Sequence, residues 1–255
     1  MKIAIITPYF KESLDILEQC YNSVLAQEVN TDHYFIADGF PRNEISSWKA
    51  KHVILEKNHD DNGNTPRGVG SKTVRELNYD FISYLDADNW FHKDHLKSLI
   101  NLYNDTKANI CCSKRTFHHI NGDDLNISEM PEDKFEHVDT SSFLIHSTAF
   151  EVTKIWEKMP KILSPICDRI FYKSIIIHKK YSIAFSNLRS VAFRSQYLSH
   201  YKSANVQPPE NLKGLVGRES YEWLKTEIGE KLAKKLLVFI HMTIKFILIF
   251  VTTEK

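Results

Sequence analysis

Residues 81–90 read FISYLDADNW: Phe81, Ile82, Ser83, Tyr84 and Leu85, then Asp86, Ala87, Asp88, Asn89 and Trp90. The apolar run predicts a buried β-strand, and the aspartates stand where it runs out. Alternate residues of a strand point to the same side, so Asp86 and Asp88 are expected to present their carboxylates together. Paired hard oxygen donors at a strand end suit Mg²⁺ or Mn²⁺ held against a diphosphate. Asp and Asn are also common where strands stop, so an isolated Asp-x-Asp reads first as a turn. The surrounding chain changes that balance.

Strand-like and helix-like segments alternate around it. Residues 2–8 form a short apolar strand ending in Thr7, Pro8 and Tyr9. Ser13 is placed to cap a helix running to about Ala26, with Leu14, Leu17, Tyr21, Val24 and Leu25 on one face. Residues 33–37 and 53–56 read as further strands, the first ending at Asp38-Gly39. The patterns predict helices over residues 69–79 and 92–103. Strands alternating with helices imply βαβ units and a largely parallel, Rossmann-like α/β sheet flanked by helices. Ligands of such sheets sit beyond the carboxyl ends of the strands. Thr7-Pro8-Tyr9, Asp38-Gly39 and Asp86–Asp88 all lie at such ends.

These three clusters, in this order, resemble family 2 glycosyltransferases of the GT-A fold, as does the segment from Arg67 to Arg75. The similarity covers residues 1–200. It implies that Pro8 and Tyr9, with Thr7 beside them, border the nucleotide base, and that Asp38 binds the base or ribose. It implies that Asp86 faces the ribose and metal, with Ala87 between the two acids, and that Asp88 ligates the metal. One departure stands at the second strand, where Ala37-Asp38-Gly39-Phe40 replaces the two aspartates and a serine of many relatives.

Other motifs carry less. Gly68-Val69-Gly70-Ser71-Lys72-Thr73 imitates a phosphate loop but lacks the Gly-Lys-Ser/Thr order and the spacer. A helix starting near Gly70 would still favour an anion. Arg67, in the loop leading to that helix, is the first candidate for that contact, and Lys72 the second, with a solvated helix face as the plain alternative for Lys72. His118, His119 and His146 lack metal-ligand spacing.

Catalysis falls to the second half. Direct displacement at a sugar carbon needs a base for the acceptor hydroxyl. The resemblance places that base at Asp168, after the Pro165 loop and at the start of a helix over residues 169–177. Asp168 would also serve there as a helix cap. Asp139 precedes a strand over residues 140–146 and is expected near the donor sugar. Near Phe193-Arg194, the family's Arg-x-His would put a histidine at position 196, where Gln196 stands. His200 is the substitute expected to complete the metal or diphosphate site.

The 42% apolar content supports a packed core, and a net charge of +1 gives no footprint for nucleic acid. The four cysteines show no disulfide framework, and Met1-Lys2 leads straight into the first strand, so a reducing cytoplasm is expected. The polar, Pro-containing stretch 202–213 marks the end of the first of two expected units. These are a GT-A catalytic domain over 1–205 and a C-terminal helical extension over 206–255. Residues 236–251 are almost wholly apolar, interrupted by His241, Thr243 and Lys245. That is short for a membrane span, so the expected partner is the interface of a membrane's inner face, with a helix buried on the domain or in a dimer as the alternative.

The expectation is therefore an inverting, metal-dependent glycosyltransferase moving a sugar from a nucleotide sugar, a UDP-sugar for choice. The acceptor would be a glycan or lipid-linked glycan in surface polysaccharide synthesis. A sugar-nucleotide pyrophosphorylase would need a Gly-rich basic loop after the first strand, where Thr7-Pro8-Tyr9-Phe10 stands instead. A non-catalytic, membrane-associated nucleotide-sugar-binding protein is the rival from another class.

Overall fold

A computed structural model describes residues 1–129, 137–178, 180–210, 212, 217–226 and 231. In chain order the strands are β1 (Ile3–Tyr9), β2 (Thr31–Asp38), β3 (Lys51–Leu55), β4 (Phe81–Tyr84), β5 (Trp90–Phe91), β6 (Ile110–His118), β7 (Phe143–His146) and β8 (Ile183–Arg194). The helices are α1 (Leu14–Leu25), α2 (Asn64–Arg75), α3 (His95–Thr106), α4 (Ile155–Lys158), α5 (Cys167–His178), α6 (Leu198–Ala204) and α7 (Arg218–Leu224).

The strands form one sheet in the order β3-β2-β1-β4-β7-β6-β8-β5. β3, β2, β1 and β4 are parallel neighbours. Beyond β4 the sheet is mixed, because β7 runs antiparallel to both β4 and β6 while β6 pairs in parallel with β8. The chain winds from β1 outward to β3, then returns to lay β4 on the other side of β1. That reversal opens a crevice at the carboxyl ends of β1 and β4, the usual ligand position in such folds.

Both faces of β1 are covered, which is why it reads as continuous apolar sequence. Ile3, Ile5 and Tyr9 pack with Leu17 and Cys20 of α1 and Leu96 and Leu99 of α3. Ala4 and Ile6 pack on the other face with Val74 of α2, Trp156 of α4 and Phe171 of α5. Period-two alternation therefore sorts β1 between two cores.

α2 starts earlier than its sequence suggests and stops at Arg75. Pro66 and the glycines around it look like breakers, but Pro66 sits in the first turn, where its missing N–H costs nothing. Asp61 closes that end by accepting from the Thr65 backbone N–H at 3.0 Å and the Thr65 hydroxyl at 2.6 Å. Gly70 has a packing role: a Cβ there would lie 2.7 Å from Ile6 Cγ2.

All four cysteines are buried and free. α7, the described start of the tail, docks through Leu224 on Leu163, Ile166 and Ile170. The Ser220 hydroxyl donates to the Ile162 carbonyl at 2.6 Å. Among the described residues no helix is long and apolar enough to cross a membrane. Residues 236–251 lie outside the described residues.

Gly70→Ala is expected to lower the melting temperature. Alanine is the better helix former by about 1 kcal/mol, but forcing a methyl into a filled core costs about 1–3 kcal/mol. A thermal melt of parent and variant checks this, and a raised melting temperature contradicts the close α2–β1 approach.

Candidate active site

β4 ends at Tyr84, so Asp86 and Asp88 sit in the turn beyond it rather than on the strand. The Asn89 N–H donates to the Asp86 carbonyl at 2.9 Å and closes that turn. Ser141 holds it from one side, its hydroxyl accepting from the Asp86 N–H at 3.1 Å and Asn89 Nδ2 at 3.3 Å. Arg194 holds it from the other, donating from Nε to the Asp88 carbonyl at 3.0 Å and from its backbone N–H to Asn89 Oδ1 at 3.0 Å. Ala87 is buried between the acids.

The two carboxylates have different partners. Asp86 Oδ1 accepts from Arg67 in a short ion pair. Asp88 Oδ2 accepts from Gln196 Nε2 at 3.0 Å. Arg67 lies inside α2, not in a loop before it, and its guanidinium stacks 5.3 Å from the Trp156 ring. Burial works against its charge, but Asp86 outweighs burial and holds Arg67 as a cation. Lys72, on the same helix, is exposed, as its plain reading allowed.

At the ends of β1 and β2 the structure departs from expectation. Thr7 and Tyr9 are turned into the α1 core rather than toward a ligand. Thr7 Oγ1 is hydrogen-bonded to His33 Nε2 at 2.8 Å, and Tyr9 Oη accepts from the Arg42 N–H at 2.9 Å and meets His52 Nε2 at 2.6 Å. The physical reason is alternation: residues 3, 5, 7 and 9 share the α1 face. Pro8, on the opposite face, abuts Gly63 at the start of α2. Asp38 is buried and accepts from His59 Nδ1 at 2.6 Å and the His59 N–H at 3.2 Å. Gly39 permits this closure, since its φ is +82° and a Cβ would lie 2.4 Å from the Asn58 nitrogen.

Asp139 caps the short turn before β7 by accepting from the Ser141 N–H at 2.9 Å. It also pairs with Arg115 Nη1 at 3.2 Å. Burial raises its pKa, and the Arg115 charge partly offsets that. Asp168 opens α5 and makes a short contact with His137 Nε2 while Oδ1 accepts from the Arg169 N–H at 2.7 Å. Burial pushes the Asp168 carboxyl up, but His137 and the Arg169 N–H outweigh it and bring it down to about 2. These acids share one neighbourhood: the Tyr197 hydroxyl is pushed up to about 12, first by burial and then by the charges of Asp168, Asp139 and Asp88.

His200 places Nδ1 2.8 Å from the Ser195 hydroxyl, with its ring packed against Phe117, Phe193 and Tyr197. The side chain set against Asp88 at the position of the expected histidine is Gln196. Among the described residues no group of three His, Cys, Asp or Glu forms a metal cluster. Sequence reading missed His137, Ser141, Arg115, Tyr197 and His59. Only Gln196 carried a signal, as the residue following Arg194-Ser195.

Asp86→Asn keeps the shape of the turn but leaves the Arg67 cation without its counter-charge. Removing one partner of a buried pair costs about 3–5 kcal/mol. Asp86 keeps 27% of its side chain exposed, so the lower end of that range is expected. Urea unfolding of parent and variant checks it, and an unchanged midpoint contradicts it.

The chain was compared with known proteins. A crystal structure of TarS 1–349 from S. aureus in complex with UDP has a TM-score of 0.60 at 14% identity, over 93% of this chain and 70% of that one. The same TarS segment in complex with UDP-GlcNAc gives 0.56 at 15%, with the same coverage of 93% and 70%. A longer TarS structure gives 0.57 at 15%, over 93% of this chain and 42% of that one. At such identities the likeness is one of fold, and it is to the GT-A fold. No curated protein matches by sequence. The family model described as glycosyl transferase family 2 matches residues 4–154, a span that holds β1, α2 and the Asp86–Asp88 turn. The protein therefore belongs to glycosyl transferase family 2, and it is a glycosyltransferase that uses a nucleotide sugar.

Proposed function

We propose that the donor is a UDP-sugar, held at the carboxyl ends of β1 and β4 and used with a divalent cation. The transfer inverts the anomeric centre and passes the sugar to a hydroxyl of a glycan or lipid-linked glycan. The observation that carries this reading is the Asp86–Asp88 turn at the strand-order reversal, stitched by Ser141 and Arg194. Three buried polar atoms in and just before the first turns of α2 support it: Asp61 Oδ1, Asn64 Oδ1 and Arg67 Nε find no hydrogen-bond partner among the described residues. Buried polar groups are almost always satisfied, so orphans at the start of α2, one of them on the Arg67 that pairs with Asp86, suit a polar ligand. The UDP and UDP-GlcNAc complexes of TarS support the choice of nucleotide.

The donor set fits a hard cation. Asp88 offers carboxylate oxygen, and Gln196, whose amide nitrogen now meets Asp88, would offer a second oxygen beside it with the amide turned over. One or two protein oxygens with substrate phosphates and water are the usual set for Mg²⁺, and oxygen ligands also suit Mn²⁺. When bound, such an ion supplies charge stabilisation for the departing diphosphate. Arg67 fixes Asp86, Arg115 fixes Asp139, and the acceptor hydroxyl gives up its proton at the Asp168 end of α5.

The tail is proposed as the contact with partners. Its apolar stretch 236–251 follows Lys231, Lys234 and Lys235, a composition suited to the inner face of an anionic membrane. A second copy of the chain is the other partner such a stretch could cover.

Nucleoside diphosphate release from a panel of nucleotide sugars, with Mn²⁺, Mg²⁺ or EDTA, tests the reading. Release from a UDP-sugar that stops with EDTA is expected, together with loss of Mn²⁺-dependent donor binding in Asp88→Ala. Each lost carboxylate removes a ligand a hard cation needs. Binding without turnover of any nucleotide sugar would favour a non-catalytic binding protein. Release of a sugar 1-phosphate on adding pyrophosphate would favour a pyrophosphorylase.

A further inference from the structure

The start of α5, where Asp168 stands, is entered through a segment that does little to hold itself. Residues Lys161–Ile166 form a short 3₁₀ stretch with Pro165 inside it. Pro165 has no N–H to give, and 3₁₀ turns have poorer hydrogen-bond geometry than α-helices. Where this segment lies, and so where α5 begins, is set by what packs on it. One hold comes from α2, where Asn64 Nδ2 donates to the Ser164 hydroxyl at 3.1 Å. Asn64 stands three residues before Arg67, which pairs with Asp86. The donor turn and the entry to α5 therefore share an anchor.

The other hold is α7. Leu224 is buried with Leu163, Ile166 and Ile170 in a cluster separate from the two main cores. Ser220 is fully buried, and its hydroxyl donates to the Ile162 carbonyl at 2.6 Å. Gly217 opens α7 against the same segment: its φ is +91°, and a Cβ there would lie 2.4 Å from Ile166 Cγ2. Two residues along a helix are about 200° apart around its axis. Ile170 therefore faces away from Asp168, and α7 backs α5 on the side opposite the carboxylate. Cys167 and Phe171 pack a third side of α5 into a main core. The Asp86–Asp88 turn is held by Arg67, Ser141, Arg194 and Gln196, none of which belongs to the α7 cluster.

We propose that Leu224 and Ser220 of α7 are positioning residues for the transfer, setting through Ile162, Ile166 and Ile170 where Asp168 meets the acceptor. This rests on the glycosyl-transfer reading of the site. It gives a part in turnover to a segment beyond the family match, which ends at residue 154. Neither residue touches a substrate in this role. Their effect is on geometry, and a reacting group displaced by about 1 Å can cost about 10²-fold in rate. Because the α7 cluster is a satellite of the main cores, loosening it acts on the entry to α5 and leaves the donor half in place. The division is thus between binding, carried by the first half of the chain, and the final placing of Asp168, completed by α7.

The test uses the full chain with Leu224→Ala or Ser220→Ala, Mn²⁺, and UDP-GlcNAc as first probe among the nucleotide sugars. In both variants kcat for UDP release is expected to fall about 10–10²-fold. KM for the donor, and the affinity for UDP measured by calorimetry, should stay within a few-fold of the parent. Leu224→Met, which refills the space, should return kcat to near the parental value. Hydrogen exchange, read where every variant is folded, should quicken at the amides of residues 163–171 in Leu224→Ala and stay parental in β1 and β4. Quicker exchange with parental kcat makes α7 a structural prop and overturns the proposal. Parental exchange at residues 163–171 overturns it too, as does a donor affinity that falls as far as kcat, the mark of a general loosening. A parent that turns over no nucleotide sugar sinks the transfer reading itself, and the proposal with it.

Discussion

The buried guanidinium of Arg67, set against Asp86, is the contact on which the rest of the site depends. A charge withdrawn from water on α2 has to meet an opposite charge, and leaving it unmet costs several kcal/mol. That requirement fixes the path of the chain after β4. It draws the Asp86–Asp88 turn over the start of α2 and leaves Asp88 facing the other way, toward Gln196. Ser141 and Arg194 then lock the turn from segments far along the chain. The crevice at the strand-order reversal thus has a rigid acidic floor, as electrostatic preorganisation demands.

Much of the first half could be read from sequence because its signals are local. β1 and β4 are apolar runs stopped by polar residues, and α1 and α3 carry an apolar stripe. Placing α2 failed for a local reason as well: Gly63, Pro66, Gly68 and Gly70 imitate a loop. Only the packed structure shows Pro66 in a first turn and Gly70 pressed against Ile6. The parallel arrangement of β1 to β4 followed from alternating strands and helices. The antiparallel β7 did not, because its pairing with β4 and β6 depends on long-range closure.

The site was legible where acids cluster in one short stretch and hidden where partners come from afar. Asp86, Asp88 and Asp168 stand out by position. His137 lies far from Asp168 in the chain and is one of twelve histidines, so no local pattern singles it out. Gln196 is a neutral residue in a family position held elsewhere by histidine, and its amide could be judged only once Asp88 was seen beside it. Thr7 and Tyr9 show the opposite error. They sit at a strand end as ligand contacts do, yet the alternation of β1 turns both into the α1 core. The stretch 236–251 falls outside the described residues, and its reading rests on composition alone.

The central claim is that the nucleotide diphosphate lies over the Asp86–Asp88 turn, where β1 and β4 end. A crystal structure of the full chain grown with UDP and Mn²⁺ tests it most directly. The account predicts the diphosphate beside this turn, with the metal bound on the Asp88 and Gln196 side. UDP bound instead at the opposite end of the sheet, in the groove lined by Arg75, Asn78, Tyr79, Asp80 and Glu151, would contradict it.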